Sequence, residues 1–296
     1  MSINFPSGGA VHAWRPACVL KIEGADAGPF LQGQFTNDVR KAGDEAAVYG
    51  LWLTLKGKVV GDSFLLQKPA GVYWAVSYAT PAAVLRERLE SFIIADDVTV
   101  ADQTPDWTGL TVFREFSSAA RATFTAAGAL MFTGRRTHLA HTDCLVPVDR
   151  LAALRSTLGS AEELDESEME WQRICAGIPS IPRDIGPNDL PNEGHLDEAA
   201  ISYTKGCYLG QEVMARLKSM GQIRRKLLPV SSSTADCPAV PAALYTRERQ
   251  VGELRSAACR EGALRGLAML NLLPLGSATE LSFTPDGPPA LRVDSP

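Results

Sequence analysis

At 296 residues, 45% hydrophobic and 21% charged, the chain has ordinary globular composition and enough length for two or three domains. A formal net charge of −5 argues against a protein that coats nucleic acid and leaves room only for a local basic patch. The six cysteines stand singly, without CxxC or zinc-finger spacing, which predicts reduced thiols in a cytoplasmic protein.

The first residues, Met1 to Gly9, show no basic stretch followed by an apolar one, and no apolar run approaches the length of about 18 residues that spans a bilayer. Neither export nor membrane insertion is expected. Ala17 to Glu23 reads as a strand that stops at Gly24, and a short helix follows from Asp26, with Pro29 tolerated in its first turn. Ala47 to Leu55 and Val59 to Gln67 are β-rich runs around Lys56-Gly57-Lys58, a hairpin signal. Val72 to Ser77 adds a strand. Pro81 then opens a predicted helix, Ala82 to Phe92, with Val84, Leu85, Leu89 and Phe92 on one face.

Strands are predicted at Val98 to Ala101, at Leu110 to Phe113, and near Met131 and Leu145, with a Ser/Ala-rich helix from Ser117. His138 and His141 form an HxxH spacing, but no carboxylate or cysteine closes a metal set around them. Asp149 is predicted to cap a helix from Leu151 to Leu158. The acidic run Glu162 to Glu170 reads as a solvated helix start that continues to Gly177. Residues 178 to 200 hold four prolines, so the loop must pack against something or close a site. Its acids Glu193, Asp197 and Glu198 read chiefly as surface residues. Arg224 to Val230 is a strand, Ser231 to Pro238 a linker, and the last sixty residues carry the short strands of a small β-barrel or sandwich.

The densest chemistry lies in Tyr203-Thr-Lys-Gly-Cys-Tyr-Leu-Gly-Gln-Glu-Val-Met-Ala-Arg216. A helix beginning near Leu209, together with Lys205, would favour the thiolate of Cys207. Gly206 and Gly210 would allow positive φ or close approach of a ligand. The plain alternative is a small buried residue in a helix-entry turn. Six cations and one acid, Glu212, fall between 205 and 226. Such a field would suit a polyanionic ligand tail or an acidic partner, and equally an ordinary exposed helix and strand.

Lys205-Gly-Cys-Tyr-Leu-Gly-Gln-Glu212, continued by Met214-Ala-Arg216 and Met220-Gly-Gln-Ile-Arg-Arg-Lys-Leu-Leu-Pro-Val230, resembles the signature of the YgfZ family. These are folate-binding-type proteins of iron–sulfur cluster maturation, built on the glycine-cleavage T-protein (GcvT) fold. Supporting marks are Phe30-Leu-Gln-Gly-Gln-Phe-Thr-Asn-Asp38, Gly57-Lys-Val-Val-Gly-Asp62, Ala176-Gly-Ile-Pro179, Leu190-Pro191 and Val251-Gly-Glu-Leu-Arg-Ser256, so the likeness covers almost the whole chain.

The resemblance implies an α+β fold: a GcvT-like three-subdomain cloverleaf around a central channel, with a C-terminal small β-barrel. Residues 1–230 would be the folate-binding region of two interwoven α+β subdomains, and 231–296 the barrel. It implies a tetrahydrofolate-binding accessory protein for assembly or repair of iron–sulfur enzymes, such as radical-SAM tRNA methylthiotransferases. Its partners would be folate and those client enzymes, with no direct nucleic-acid contact and no membrane. The alternative is a tetrahydrofolate-dependent one-carbon (aminomethyl) transferase, but an accessory factor is the preferred reading.

Cys207 and Lys205 would carry the chemistry. Asp62, Arg216, Gly206, Tyr208, Gln211, Glu212 and Cys175 would line the cofactor. Arg216 is the best candidate for the ligand's carboxylates. Asp62 falls where the T-protein has its catalytic aspartate; the bland alternative is a solvated residue near a turn. Cys175, in Arg173-Ile-Cys-Ala-Gly177, replaces a glutamate that bonds the pterin, and losing a charge-assisted bond of roughly 1.5–3 kcal/mol would weaken folate about tenfold or more. No resident metal is expected. One cysteine cannot hold a cluster, so Cys207 would ligate one only transiently.

Overall fold

Strand periodicity dominates the architecture. The computed structural model describes residues 9–43, 46–221, 223–233 and 236–294, and these divide into two compact units. The first comprises Met1–Leu53, Val60–Glu166 and Ala200–Leu209; the second comprises Thr54–Val59, Ser167–Ala199 and Gly210–Pro296.

The first unit holds two five-stranded sheets. One runs in the order Val48–Leu53, Val59–Gln67, Tyr73–Ser77, Cys18–Glu23, Thr99–Asp102. The other runs Glu162–Glu163, Ala10–Trp14, Trp107–Val112, Thr142–Pro147, Leu130–Thr133. Successive side chains of a strand point to opposite faces, and here both faces are apolar. Leu20, Ile22 and Leu65 pack against the helices Ala27–Gln34 and Ala82–Glu90. Their neighbours Val19, Phe64 and Leu66 instead meet Trp14, Leu130, Phe132 and Leu145 of the second sheet. That sheet's own outer face, with Val11, Leu110, Met131 and Cys144, packs against Phe124 and Leu154 of the helices Ser118–Ala126 and Leu151–Ser156. The unit is therefore two stacked sheets with helices outside, which explains why its strands read as near-continuous apolar runs.

The second unit is built on a six-stranded sheet in the order Ala242–Thr246, Arg249–Arg260, Ala263–Asn271, Arg225–Ser232, Leu291–Val293, Glu280–Leu281. Tyr245 and Ser282 exchange backbone hydrogen bonds of 2.9 Å, so the first strand meets the end of the last and the sheet nearly closes into a barrel. Leu228, Val230, Leu254, Leu264, Ala268 and Leu281 fill it. The α+β class and the C-terminal barrel agree with expectation. The barrel draws in Arg225–Ser232, which starts upstream of the linker and takes in its first two residues.

Several local expectations are corrected. The strand Ala10–Trp14, ahead of the first predicted one, pairs in parallel with the edge strand Glu162–Glu163, so the acidic run starts as a strand and turns helical only at Glu166. The buried face of the second helix is Ala82, Leu85 and Leu89; Val84, one position off that stripe, is 38% exposed. Asp149 lies in a single 3₁₀ turn, Val148–Arg150, and caps nothing. Ser117 does cap its helix, accepting from the Ala120 amide at 3.1 Å. Among the described residues no helix is long and apolar enough to cross a membrane.

Candidate functional site

The segment Ala200–Leu209, which carries the Lys-Gly-Cys triplet, is stitched to the end of the Ala27–Gln34 helix and the turn beyond it. Thr36 bonds it twice: its hydroxyl donates to the Ala200 carbonyl at 2.6 Å and its own carbonyl accepts from the Ser202 amide at 3.0 Å. The Leu209 amide donates to Gly33 at 3.1 Å. Between these stitches Lys205, 5% exposed, donates from Nζ to the carbonyls of Gln32 (2.6 Å), Phe35 (2.6 Å) and Asn37 (3.0 Å). A helix end leaves carbonyls without partners, and a buried ammonium satisfies three at once. Burial pushes the Lys205 ammonium down to about 8, against the opposing pull of Asp38.

This corrects the part expected of Lys205. Its donors are committed to backbone oxygens, so it clasps the loop rather than serving Cys207 as an activating cation. The ammonium also sits 5.1 Å from the ring centroid of Tyr208, which is buried and whose hydroxyl has no hydrogen-bond partner among the described residues. Cys207, between these anchored residues, is exposed, so the alternative of a small buried residue is excluded. Gly206 adopts no positive φ, and a Cβ placed on it would meet nothing within 4 Å. The positive φ open to this glycine is not used; what it leaves is open space beside the thiol.

The helix of the motif spans Gln211–Met220, two residues later than expected. Gly210 caps it at φ 86°, the left-handed geometry foreseen for this glycine. In the second unit this helix presents Val213 and Met214 to Gly57 of the turn Thr54–Lys58. Arg216 reaches Glu212 one turn back at 3.0 Å, with both side chains mostly in solvent. Gln211, Glu212 and Arg216 thus lie along an open helix start and face.

Asp62 is neither solvated nor near a turn. It lies mid-strand, 8% exposed, and accepts from three hydroxyls: Tyr49 at 2.9 Å, Ser77 at 3.0 Å and Thr80 at 2.9 Å. Burial raises its pKa, the three hydroxyls and Arg135 working against that. Cys175 ends the helix Glu166–Cys175 and is exposed. Burial of part of the thiol raises its pKa, and Arg265 opposes the shift. A solvent-facing thiol offers no acceptor for a pterin edge, and Asp62 already serves three donors. The matched residues therefore fit tetrahydrofolate poorly. The candidates also divide: Asp62, Lys205, Gly206, Cys207 and Tyr208 belong to the first unit, whereas Cys175, Gln211, Glu212 and Arg216 belong to the second.

Two polar clusters escaped sequence reasoning. In the first unit, fully buried Asp143 accepts from the hydroxyls of Tyr78 and Thr111, and Arg136 stacks 3.9 Å from Tyr78 and 4.2 Å from Trp14. His141, half of the HxxH pair, bonds the Leu139 carbonyl at 2.7 Å and accepts from the Arg136 amide at 3.4 Å. In the second unit the proline-rich segment is held by ion pairs. Asp184 takes Arg173 (2.7 Å) and the Ser256 hydroxyl (2.5 Å); Asp189 takes Arg255 (2.6 Å) and Arg225 (3.1 Å); Glu193 takes Arg225 (3.0 Å). Glu193 also closes a turn on the Leu190 amide at 2.7 Å, so it is buried and not a surface acid. The signal was available: Arg255 and Ser256 end the Val251–Ser256 mark.

No protein-family model matches the chain. Its fold matches that of the glycine cleavage system aminomethyltransferase T from Bartonella henselae, with a TM-score of 0.78 over 97% of this chain and 86% of that one at 17% identity. The protein therefore has a GcvT-like fold. By sequence it is similar to the mitochondrial iron–sulfur cluster assembly factor IBA57 of Homo sapiens, 31% identical over 238 residues, 72% of this chain and 63% of that protein. It is likewise similar to the IBA57 homologue of Mycosarcoma maydis, 27% identical over 77% of this chain and 58% of that protein, and to the tRNA-modifying protein YgfZ of Escherichia coli O157:H7, 27% identical over 73% and 70%. The match spans about three-fifths of the length of the IBA57 relatives. The chain is a YgfZ/GcvT-like protein, a relative of iron–sulfur cluster assembly factors.

Proposed function

We propose that this chain is an accessory factor in the assembly or repair of iron–sulfur enzymes and works through Cys207. The observation that supports this most directly is a single exposed thiol on a loop whose neighbours are pinned by Lys205 and Thr36. A thiolate is the form that ligates iron or attacks a disulfide, and an anchored, solvent-facing sulfur can do either without the loop unfolding. One sulfur supplies one cluster ligand, so its part is transfer: it holds a corner of a cluster while the client enzyme supplies the rest. Radical-SAM enzymes that thiolate tRNA are the proposed clients, in keeping with the tRNA-modifying name of the YgfZ relative. The proposed compartment is the cytoplasm, although the human relative is named mitochondrial.

The test is reconstitution of a [4Fe–4S] client with wild-type protein and with Cys207→Ser. The serine variant is expected to fold normally and to lose most of the rescue of client activity. Equal rescue would remove the thiol from the mechanism.

Reduced folate is proposed as a weak ligand, and no step is assigned to it. Isothermal titration with tetrahydrofolate is expected to show weak binding that tightens about tenfold in Cys175→Glu, since the carboxylate restores a charge-assisted bond. No binding to either form would leave a scaffold without a folate site. The aminomethyl-transfer alternative would use Asp62 as the carboxylate that positions the donor, a part ill-suited to a group already accepting from three hydroxyls.

A further inference from the structure

One end of the barrel, within the second unit, carries a groove of about 800 Å³ at the starts of the strands Arg225–Ser232 and Arg249–Arg260 and along the turn Leu272–Leu275. Ile223, Leu272, Leu273 and Pro274 give it an apolar wall, and Arg224 and Arg249 give it charge. The turn is fixed rather than loose. The Leu272 amide donates to the Arg224 carbonyl at 2.9 Å and the Gly276 amide to that of Leu272 at 3.0 Å, while Leu272 and Leu275 pack against the barrel core. Leu273, between them, is 91% exposed. A leucine held in water by an ordered turn, lining one groove with Ile223 and Pro274, belongs to an apolar patch and is not a scattered surface residue. Among the described residues no acid lines the groove and none pairs with Arg224 or Arg249; Glu248 adjoins Arg249 in sequence only. The contrast with their neighbours is sharp: Arg225 pairs with Asp189 and Glu193, and Arg255 with Asp189 and Glu253. In a chain of 34 acids and 29 cations, two arginines without acids beside an apolar wall make a surface complementary to carboxylates.

We infer that this groove docks an acidic peptide segment of a protein partner, one that carries a leucine or an aromatic side chain among its carboxylates. Each guanidinium donates as a fork to a carboxylate, and the apolar side chain of the segment covers Leu273 and Ile223. Shape argues against a small molecule: such sites enclose most of their ligand, whereas Leu273 stands almost wholly in solvent. Composition argues against single-stranded nucleic acid, because no aromatic ring lines the groove for a base to stack on and the net charge of the chain is −5. The inference uses no residue of the Cys207 loop, so the failure of either reading leaves the other standing.

The experiment probes an array of random short peptides with the labelled full chain, with a double variant carrying Arg224→Glu and Arg249→Glu, and with Leu273→Ser. All three side chains are exposed, so the circular dichroism and thermal midpoint of the variants should match wild type. Wild type is expected to enrich peptides that combine Asp or Glu with Leu, Phe or Trp, and both variants to lose them. For the strongest such peptide, fluorescence anisotropy should show binding weakened about tenfold or more in each variant, and weakened by added salt in wild type. No enrichment of acidic peptides, or the same enriched set on both variants, would overturn the inference. So would tighter capture of a single-stranded RNA oligomer through the same arginines, since the occupant would then be nucleic acid. Sedimentation that shows wild-type dimers abolished by Leu273→Ser would overturn it in favour of a second copy of the chain.

Discussion

Three carbonyl oxygens, those of Gln32, Phe35 and Asn37, surround one ammonium in the first unit. A lysine there is kept because nothing shorter reaches all three and nothing apolar satisfies them. Lys205→Met should cost roughly 2–4 kcal/mol, the penalty of leaving buried polar groups without partners, read as a lower midpoint in guanidinium unfolding. The same lysine sets a pH dependence. The folded chain releases its proton near 8 and the unfolded chain near 10.5, so between those values the unfolded state holds more protons. This group's contribution to stability therefore rises with pH across that window, and Lys205→Met should remove the rise. Titration of its side chain by NMR checks the premise: an ammonium that persists above about 10 would mean that the carbonyl cage outweighs burial.

Among the elements, the turn Thr54–Lys58 and the helix Gln211–Met220 depend on one missing side chain. Gly57 has φ 73°, and a Cβ there would lie 2.8 Å from Met214 Cε and 2.9 Å from Val213 Cγ1. Gly57→Ala combines left-handed strain with overlap and should cost about 1–3 kcal/mol. Gly206→Ala meets open space in ordinary backbone and should stay within about 0.5 kcal/mol. Thermal melts of the two variants separate these cases. If Gly206→Ala melts like wild type yet impairs client rescue, the bare surface beside Cys207 is where something docks. Much of the element structure was legible in the chain: alternating Leu20, Ile22 and Leu65 against Val19, Phe64 and Leu66 could only be strands buried on both faces. The first strand, Ala10–Trp14, was not, because five residues paired to distant partners carry no local signal.

At the scale of the molecule, the second unit holds its proline-rich segment with buried ion pairs as well as with the buried side chains of Ile181, Ile185 and Leu196. Glu170 shows the electrostatic consequence. Burial would raise its carboxyl, but hydrogen bonds and charge from Arg173, with Arg183 beside it, bring it below the ordinary 4.5. A carboxylate with a depressed folded pKa stabilises above its unfolded value, and that stability is lost as pH falls through the folded one. Unfolding midpoints should therefore drop as pH goes below 4.5, and Glu170→Gln should flatten that part of the profile while starting from a less stable protein.

The residue order alone determined the class of fold, the barrel at the C-terminal end and the segment that presents Cys207. Apolar periodicity marked the strands, and the class of fold followed from the resemblance that the Lys205–Glu212 motif carries; both are properties of neighbours along the chain and need no knowledge of distant partners. Which charges are free was decided only in three dimensions. Lys205 faces three carbonyls, Asp62 three hydroxyls and Glu193 an arginine. Each outcome turns on burial and on groups tens of residues away, where desolvation leaves a polar atom no choice but to find a partner.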